Sequence, residues 1–192
     1  MQNNGSSRTE VILWSRLDTL GCDSAKLFMA EGMWHIQGSA LFLSEGQPCK
    51  LDYEVVCDTF WYTCSVKING WVGKEEIQIE IRVDPLFRWT FNGVLCDGVT
   101  GCVDIDLSFS PVTNMLPIKR LKLSDGQSRE VTAAWLRFPE LDLVPLDQNY
   151  KRINAGKYRY EAIEDHFITE LTLDDTGFVT DYPDLWKCEG RL

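Results

Sequence analysis

The chain has 192 residues, 44% of them hydrophobic and 25% charged, with a formal net charge of −10 at pH 7. That length fits one domain with a real core, and no linker or low-complexity break divides it. The acidic balance argues against a nucleic-acid partner, which requires cations to displace counterions, and no apolar run reaches the ~20 residues of a transmembrane segment.

In chain order, residues 1–8 are uniformly polar and read as a disordered leader, followed by a single β-rich domain over residues 9–192. The polar start lacks the apolar core of a secretory signal. The seven cysteines (Cys22, Cys49, Cys57, Cys64, Cys96, Cys102, Cys188) form an odd set without Cys-x-x-Cys spacing. Reduced thiols in a cytoplasmic protein are therefore expected.

Alternation at period two then dominates. Trp14 and Arg16 share one strand face. Leu51, Tyr53, Val55 and Cys57 oppose Asp52, Glu54 and Asp58, and Phe60, Tyr62, Cys64, Val66 and Ile68 oppose Trp61, Thr63, Ser65 and Lys67. Ile77, Ile79, Ile81 and Val83 oppose Glu76, Gln78, Glu80 and Arg82. Residues 103–109 read as a strand with Val103, Ile105, Leu107 and Phe109 on one face and Asp104, Asp106 and Ser108 on the other. An irregular connection over 110–117 leads to a basic strand at 118–123. Trp135 and Arg137 share a face, as do Tyr158 and Tyr160, opposed to Arg159. Residues 183–186 read as the start of a last helical turn. Pairs such as Asn69-Gly70, Asn92-Gly93 and Asp125-Gly126 mark turns, and no long amphipathic helix is present. The expected fold is mainly β, on the order of ten strands, in one large curved antiparallel sheet or open half-barrel with an apolar groove. A two-sheet β-sandwich is the alternative.

Catalytic and metal signatures are weak. His35 and His166 lie far apart with no zinc spacing, and Asp104 and Asp106 supply too few oxygens for Ca²⁺. There is no Gly-x-Ser-x-Gly elbow and no phosphate-cradling glycine loop, so neither metal nor cofactor is expected. Two carboxylates on one strand face point the same way, whereas an acid/base pair for glycoside hydrolysis must flank the bond. Binding has more to work with. Trp14, Arg16, Trp61, Trp135 and Arg137 place aromatic rings beside charges, and Tyr150, Lys151, Arg152, Tyr158 and Tyr160 suit an anionic or sugar head group. Asp104, Asp106, Asn114 and Arg120 are expected to form one polar network bordering the groove.

The run Gly-Cys-Val-Asp-Ile-Asp-Leu-Ser at 101–108, followed by Pro-x-Thr-Asn-x-Leu-Pro-Ile-x-Arg-Leu at 111–121, resembles the bacterial proteins classed as putative glycolipid-binding. So do Tyr158-Arg159-Tyr160-Glu161, Gly177-Phe178-Val179, Asp181-Tyr182-Pro183-Asp184-Leu185-Trp186 and, more loosely, Trp14-Ser15-Arg16-Leu17-Asp18. Together these span nearly the whole chain in the family's order. The resemblance implies a curved β-sheet around an apolar groove and a glycolipid ligand, with no catalytic motif to carry over. The function expected is non-catalytic binding of an amphiphile in a groove with a polar rim. Trp14, Arg16, Trp61, Asp104, Asp106, Asn114, Arg120, Arg137, Tyr150, Tyr158 and Tyr160 are the candidate contacts. The alternatives are an enzyme acting on a sugar or lipid-linked sugar through Asp104 and Asp106, and a protein–protein interaction module using a sheet edge.

Overall fold

The computed structural model of the protein describes residues 9–163 and 166–192, so the leader expected over 1–8 lies outside the described residues. Fifteen strands among them form one sheet, with one short helix. The first half comprises β1 (Glu10–Arg16), β2 (Gly21–Ala30), β3 (Met33–Ser44), β4 (Gln47–Cys57), β5 (Thr63–Val72), β6 (Glu75–Val83), β7 (Trp89–Phe91) and β8 (Val94–Leu95). The second half comprises β9 (Ile105–Leu107), α1 (Met115–Leu121), β10 (Ser128–Leu136), β11 (Leu143–Asn154), β12 (Lys157–Ala162), β13 (Phe167–Leu173), β14 (Val179–Tyr182) and β15 (Trp186–Arg191). The order is β8-β7-β6-β5-β4-β3-β2-β1-β15-β14-β13-β12-β11-β10-β9. Each half is a run of sequence neighbours, and the antiparallel pairing of β1 with β15 joins them.

The sequence alternation builds the inner face. Leu51, Tyr53, Val55 and Cys57 of β4 are buried, as are Val66 and Ile68 of β5 and Ile79 and Ile81 of β6. The one parallel pair, β9 with β10, requires a crossover, and residues 108–127 supply it. This crossover is the plug of the molecule. Phe109, Val112, Met115, Leu116 and Ile118 are all buried in the common core.

The plug also reveals the curvature. Ser110 bonds Asp23 on β2 and lies 3.0 Å from the Tyr53 hydroxyl on β4, while Asn114 accepts from Tyr150 on β11 at 3.1 Å. Between β4 and β11 stand β3, β2, β1, β15, β14, β13 and β12, roughly 38 Å in a flat sheet at roughly 4.8 Å per strand step. A seven-residue helix and its lead-in reach both, so the sheet curls around them. Its β9 end meets β5, three strands in from the other end, without a ladder: the Thr63 N–H donates to Val103 O at 3.0 Å and the Ile105 N–H to Thr63 Oγ1 at 3.1 Å. The sheet remains open.

Five local expectations are corrected. Asn69-Gly70, read as a turn, lies inside β5, paired with Asp52 and Leu51 of β4. Residues 118–121, expected in a strand, close the helix α1 that begins at Met115, because Met115, Leu116 and Ile118 turn inward together while Lys119 and Arg120 take the last turn, where cations face the negative helix end. Pro117 falls in the first turn, where its missing N–H costs nothing. The strand expected over 103–109 is only β9, and Asp104 is buried, not solvated. Phe60 and Tyr62 belong to a loop ahead of β5, and residues 183–185 form a turn from which Trp186 opens β15. The groove expected from the sequence is filled by the chain's own crossover.

Candidate functional site

With the interior plugged, cavities remain at the two ends of the strands. Register defines the ends. Trp34 faces Cys57, Glu10 faces Leu27 and Leu173 faces Val179, so these positions share one end with the turn at 174–178. Phe167 and Leu146 lie towards the other.

The larger cavity, about 780 Å³, opens at the first end. Its apolar wall includes Leu27, Trp34, Trp61, Ile118, Tyr158 and Leu173, and its rim carries Glu10, Lys119, Lys122, Arg152, Asp174 and Asp175. Trp34 and Trp61 stack at 4.7 Å between centroids, 15° from parallel. Lys119 sits 5.9 Å from the centroid of Trp61, and burial holds its ammonium below the usual lysine range, partly opposed by Asp174 and Glu10. A Cβ on Gly177 would lie 2.5 Å from Lys119 Cε, so the bare glycine is what lets the lysine lie there. Arg152 pairs with Asp125 at 2.8 Å and donates to Leu123 O. Asp174 pairs with Arg191 at 3.1 Å.

The smaller cleft, about 320 Å³, opens at the second end beneath Trp135, Phe167, Tyr182, Leu185 and Trp186. Asp106, Ser108, Ser110, Asn114 and Tyr160 form its polar floor. Gln148 donates to Asp106 at 2.7 Å and to the Tyr160 hydroxyl at 3.0 Å. Burial raises the Asp106 carboxyl to about 6, with Gln148 opposing and the nearby Asp104 charge adding. Among the described residues no second carboxylate lines this cleft. Among the described residues no group of three or more His, Cys, Asp or Glu side chains is placed to hold a metal ion.

The expected four-residue network divides into separate contacts. Asp104 is bridged by both arms of Arg120, at 3.1 and 2.5 Å. Asp106 accepts from Gln148, which also reaches the Tyr160 hydroxyl, and Asn114 accepts from Tyr150. The other candidates disperse as well. Trp14 is fully buried, packed edge-on to Phe178 at 5.8 Å, with its indole N–H donating to Val179 O. Arg16 lies over Phe42 and Trp186 and forks onto Asp18. Arg137 forks onto Asp142. Thus Trp61 and Tyr158 line the larger cavity, and Asp106, Asn114 and Tyr160 the smaller cleft. Trp14, Arg16, Asp104, Arg120, Arg137 and Tyr150 line neither.

Sequence reasoning missed Trp34 and Lys119, which complete the larger cavity, and the inward-facing Asp23. Trp34 precedes an alternating run and carried a readable aromatic signal. Asp23 carried none, because its partners Tyr53 and Ser110 come from remote segments.

Fold and cavities together define an open, plugged single-sheet β protein with a recess at each end. The chain matches the family model described as putative glycolipid-binding over residues 11–188, and it belongs to that family. The crystal structure of a DUF1089 family protein from Pseudomonas aeruginosa resembles it with a TM-score of 0.75 at 30% sequence identity, covering 86% of this chain and 91% of that one. Comparison with curated proteins finds no match.

Proposed function

We propose that the protein binds an amphiphile of glycolipid type without transforming it, and that the cavity over the Trp34–Trp61 pair holds it. The observation that carries this reading is the combination, in one recess of about 780 Å³, of a stacked indole pair, an aliphatic wall and a charged rim. Ligand sites have this size and this mixture. The indole faces suit the apolar face of a sugar ring, Lys119 and Asp175 suit its hydroxyls, and Leu27, Ile118 and Leu173 suit hydrocarbon. The family's description supports the same class of ligand.

The test is lipid extraction of the purified protein followed by mass spectrometry, with titration of octyl glucoside below its micellar concentration read by tryptophan fluorescence. Trp34→Leu and Trp61→Leu are expected to weaken glucoside binding by about tenfold or more, the scale of losing one large aromatic contact. Trp61 is buried, so its variant is expected to melt lower, and binding is compared at a temperature where both variants are folded. Recovery of no lipid together with unchanged affinity in both variants would sink the reading.

One observation favours a second reading, turnover of a sugar at the smaller cleft: burial in an aromatic pocket raises the Asp106 carboxyl to about 6. Against it, most glycoside hydrolases pair two carboxylates, and among the described residues only Asp106 lines that cleft. Sugar release that Asp106→Asn abolishes would favour this second reading over binding alone.

A further inference from the structure

Three connections of the molecule follow one five-residue plan: Asp58-Thr59-Phe60-Trp61-Tyr62, Asp84-Pro85-Leu86-Phe87-Arg88 and Asp174-Asp175-Thr176-Gly177-Phe178. In each, the leading carboxylate Oδ1 accepts the backbone N–H of the third and fifth residues. The distances are 2.8 and 2.9 Å at Asp58, 2.9 and 3.0 Å at Asp84, and 3.0 and 3.0 Å at Asp174. In each, the leading N–H donates to the fifth carbonyl and the fourth N–H to the leading carbonyl. The fourth residue has positive φ: 71° at Trp61, 55° at Phe87 and 96° at Gly177. Two bulky aromatics thus hold a conformation that favours glycine. They turn inward, Trp61 onto Trp34 and Phe87 against Tyr62 at 5.5 Å, which fastens the first two loops to each other.

This plan leaves the third residue on the crest. Phe60 is 70% exposed and Leu86 is 71% exposed. Both crests stand at the strand end where the larger cavity opens, since Trp61 lines that cavity and Ser65 of β5 faces Arg82 of β6.

We infer that Phe60 and Leu86 are paired anchors by which this end of the molecule docks on a zwitterionic lipid surface, with the cavity mouth facing it. Two isolated crests suit insertion among acyl chains better than a flat protein partner, which would meet a continuous apolar patch. The crest amides are already satisfied by Asp58 and Asp84, so they enter a water-poor layer without stranded donors. The loops are bonded in place, so little conformational freedom is lost on insertion. Tyr62, directly behind the Phe60 crest and part-exposed, matches the headgroup level that Tyr prefers. The formal charge of −10 disfavours an anionic surface. The inference extends the amphiphile-binding reading and rests on it only for the purpose of docking; the loops stand independently of what the cavity holds.

Flotation with phosphatidylcholine vesicles tests it. The wild-type chain should float, and Phe60→Ser and Leu86→Ser should each lower partitioning about tenfold or more, as expected for one large apolar side chain withdrawn from hydrocarbon. Leu20→Ser is the control, because Leu20 is equally exposed at 77% but lies at the opposite strand end, and it should float like wild type. Octyl glucoside binding in solution should survive both crest variants, which separates failure of docking from failure of the cavity reading. No flotation of wild type, crest variants that float unchanged, or equal loss in Leu20→Ser would each overturn the inference. So would a concentration-dependent dimer that Phe60→Ser and Leu86→Ser abolish without vesicles, which would assign the crests to a contact between copies.

Discussion

Asp23 is completely buried on β2, where it accepts hydrogen bonds from Tyr53 on β4 and from Ser110 at the entry to the plug. Burial raises its carboxyl from 3.8 to about 7, against the lowering effect of those two hydroxyls. The folded state therefore binds this proton more tightly than the unfolded chain. The stability it contributes is complete below about pH 4 and is lost as pH rises to about 7, a span worth up to about 4 kcal/mol. Asp106 titrates in the same direction. Denaturant melts from pH 4.5 to 8 should show wild-type stability falling, with much of the slope removed in Asp23→Asn; an unchanged slope would refute the assignment. Arg120 poses a different question, since its planar fork bridges a carboxylate that has almost no contact with water. Arg120→Lys cannot reproduce two parallel bonds and should cost about 1–3 kcal/mol in the same assay. The sequence revealed the attraction between Asp104 and Arg120 but not its depth, because alternation placed Asp104 on an outer face while the chain turns it inward ahead of β9.

At the level of elements, a missing side chain lets the plug be held. Gly38 on β3 pairs with Tyr53 on β4 and with Ala25 on β2. A Cβ there would lie 2.3 Å from the Tyr53 ring and 2.6 Å from Ser24 O. Tyr53 thus lies across β3 and reaches Asp23 two strands away. Gly38→Ala should displace the ring, loosen both Asp23 and Ser110, and lower stability by about 1–3 kcal/mol; a variant that melts like wild type would show that the ring has another way across. The plug itself was half legible. Its two prolines and Asn114 announced an irregular connection, yet residues 118–123 do not alternate strictly, and their helical spacing (Ile118 with Leu121) was the better match. The capped loops at Asp58 and Asp84 went unread because neither contains a glycine and the first hides inside what looks like strand alternation.

For the whole molecule, alternation established β structure and the two-faced strands, and turn signals located a minority of the hairpins, among them those at Asn92-Gly93, 154–156 and 174–177. It left one curved sheet and a sandwich equally open, because period two tells which side chains share a face and not what covers that face. The seam between β1 and β15 had no local signal at all: its partners stand at opposite ends of the sequence and are chosen only by the assembled inner face. That seam also gives the molecule a mechanical character. The Val11 and Leu192 backbones exchange both hydrogen bonds, at 3.0 and 3.1 Å, at the same end of two antiparallel strands. A force applied through the chain ends therefore loads these bonds first and the rest of the seam in succession, as a zip opens. A force along the strands would load every bond of the ladder together. Tension on the termini thus meets the sheet in its least resistant direction and parts it into its two meanders.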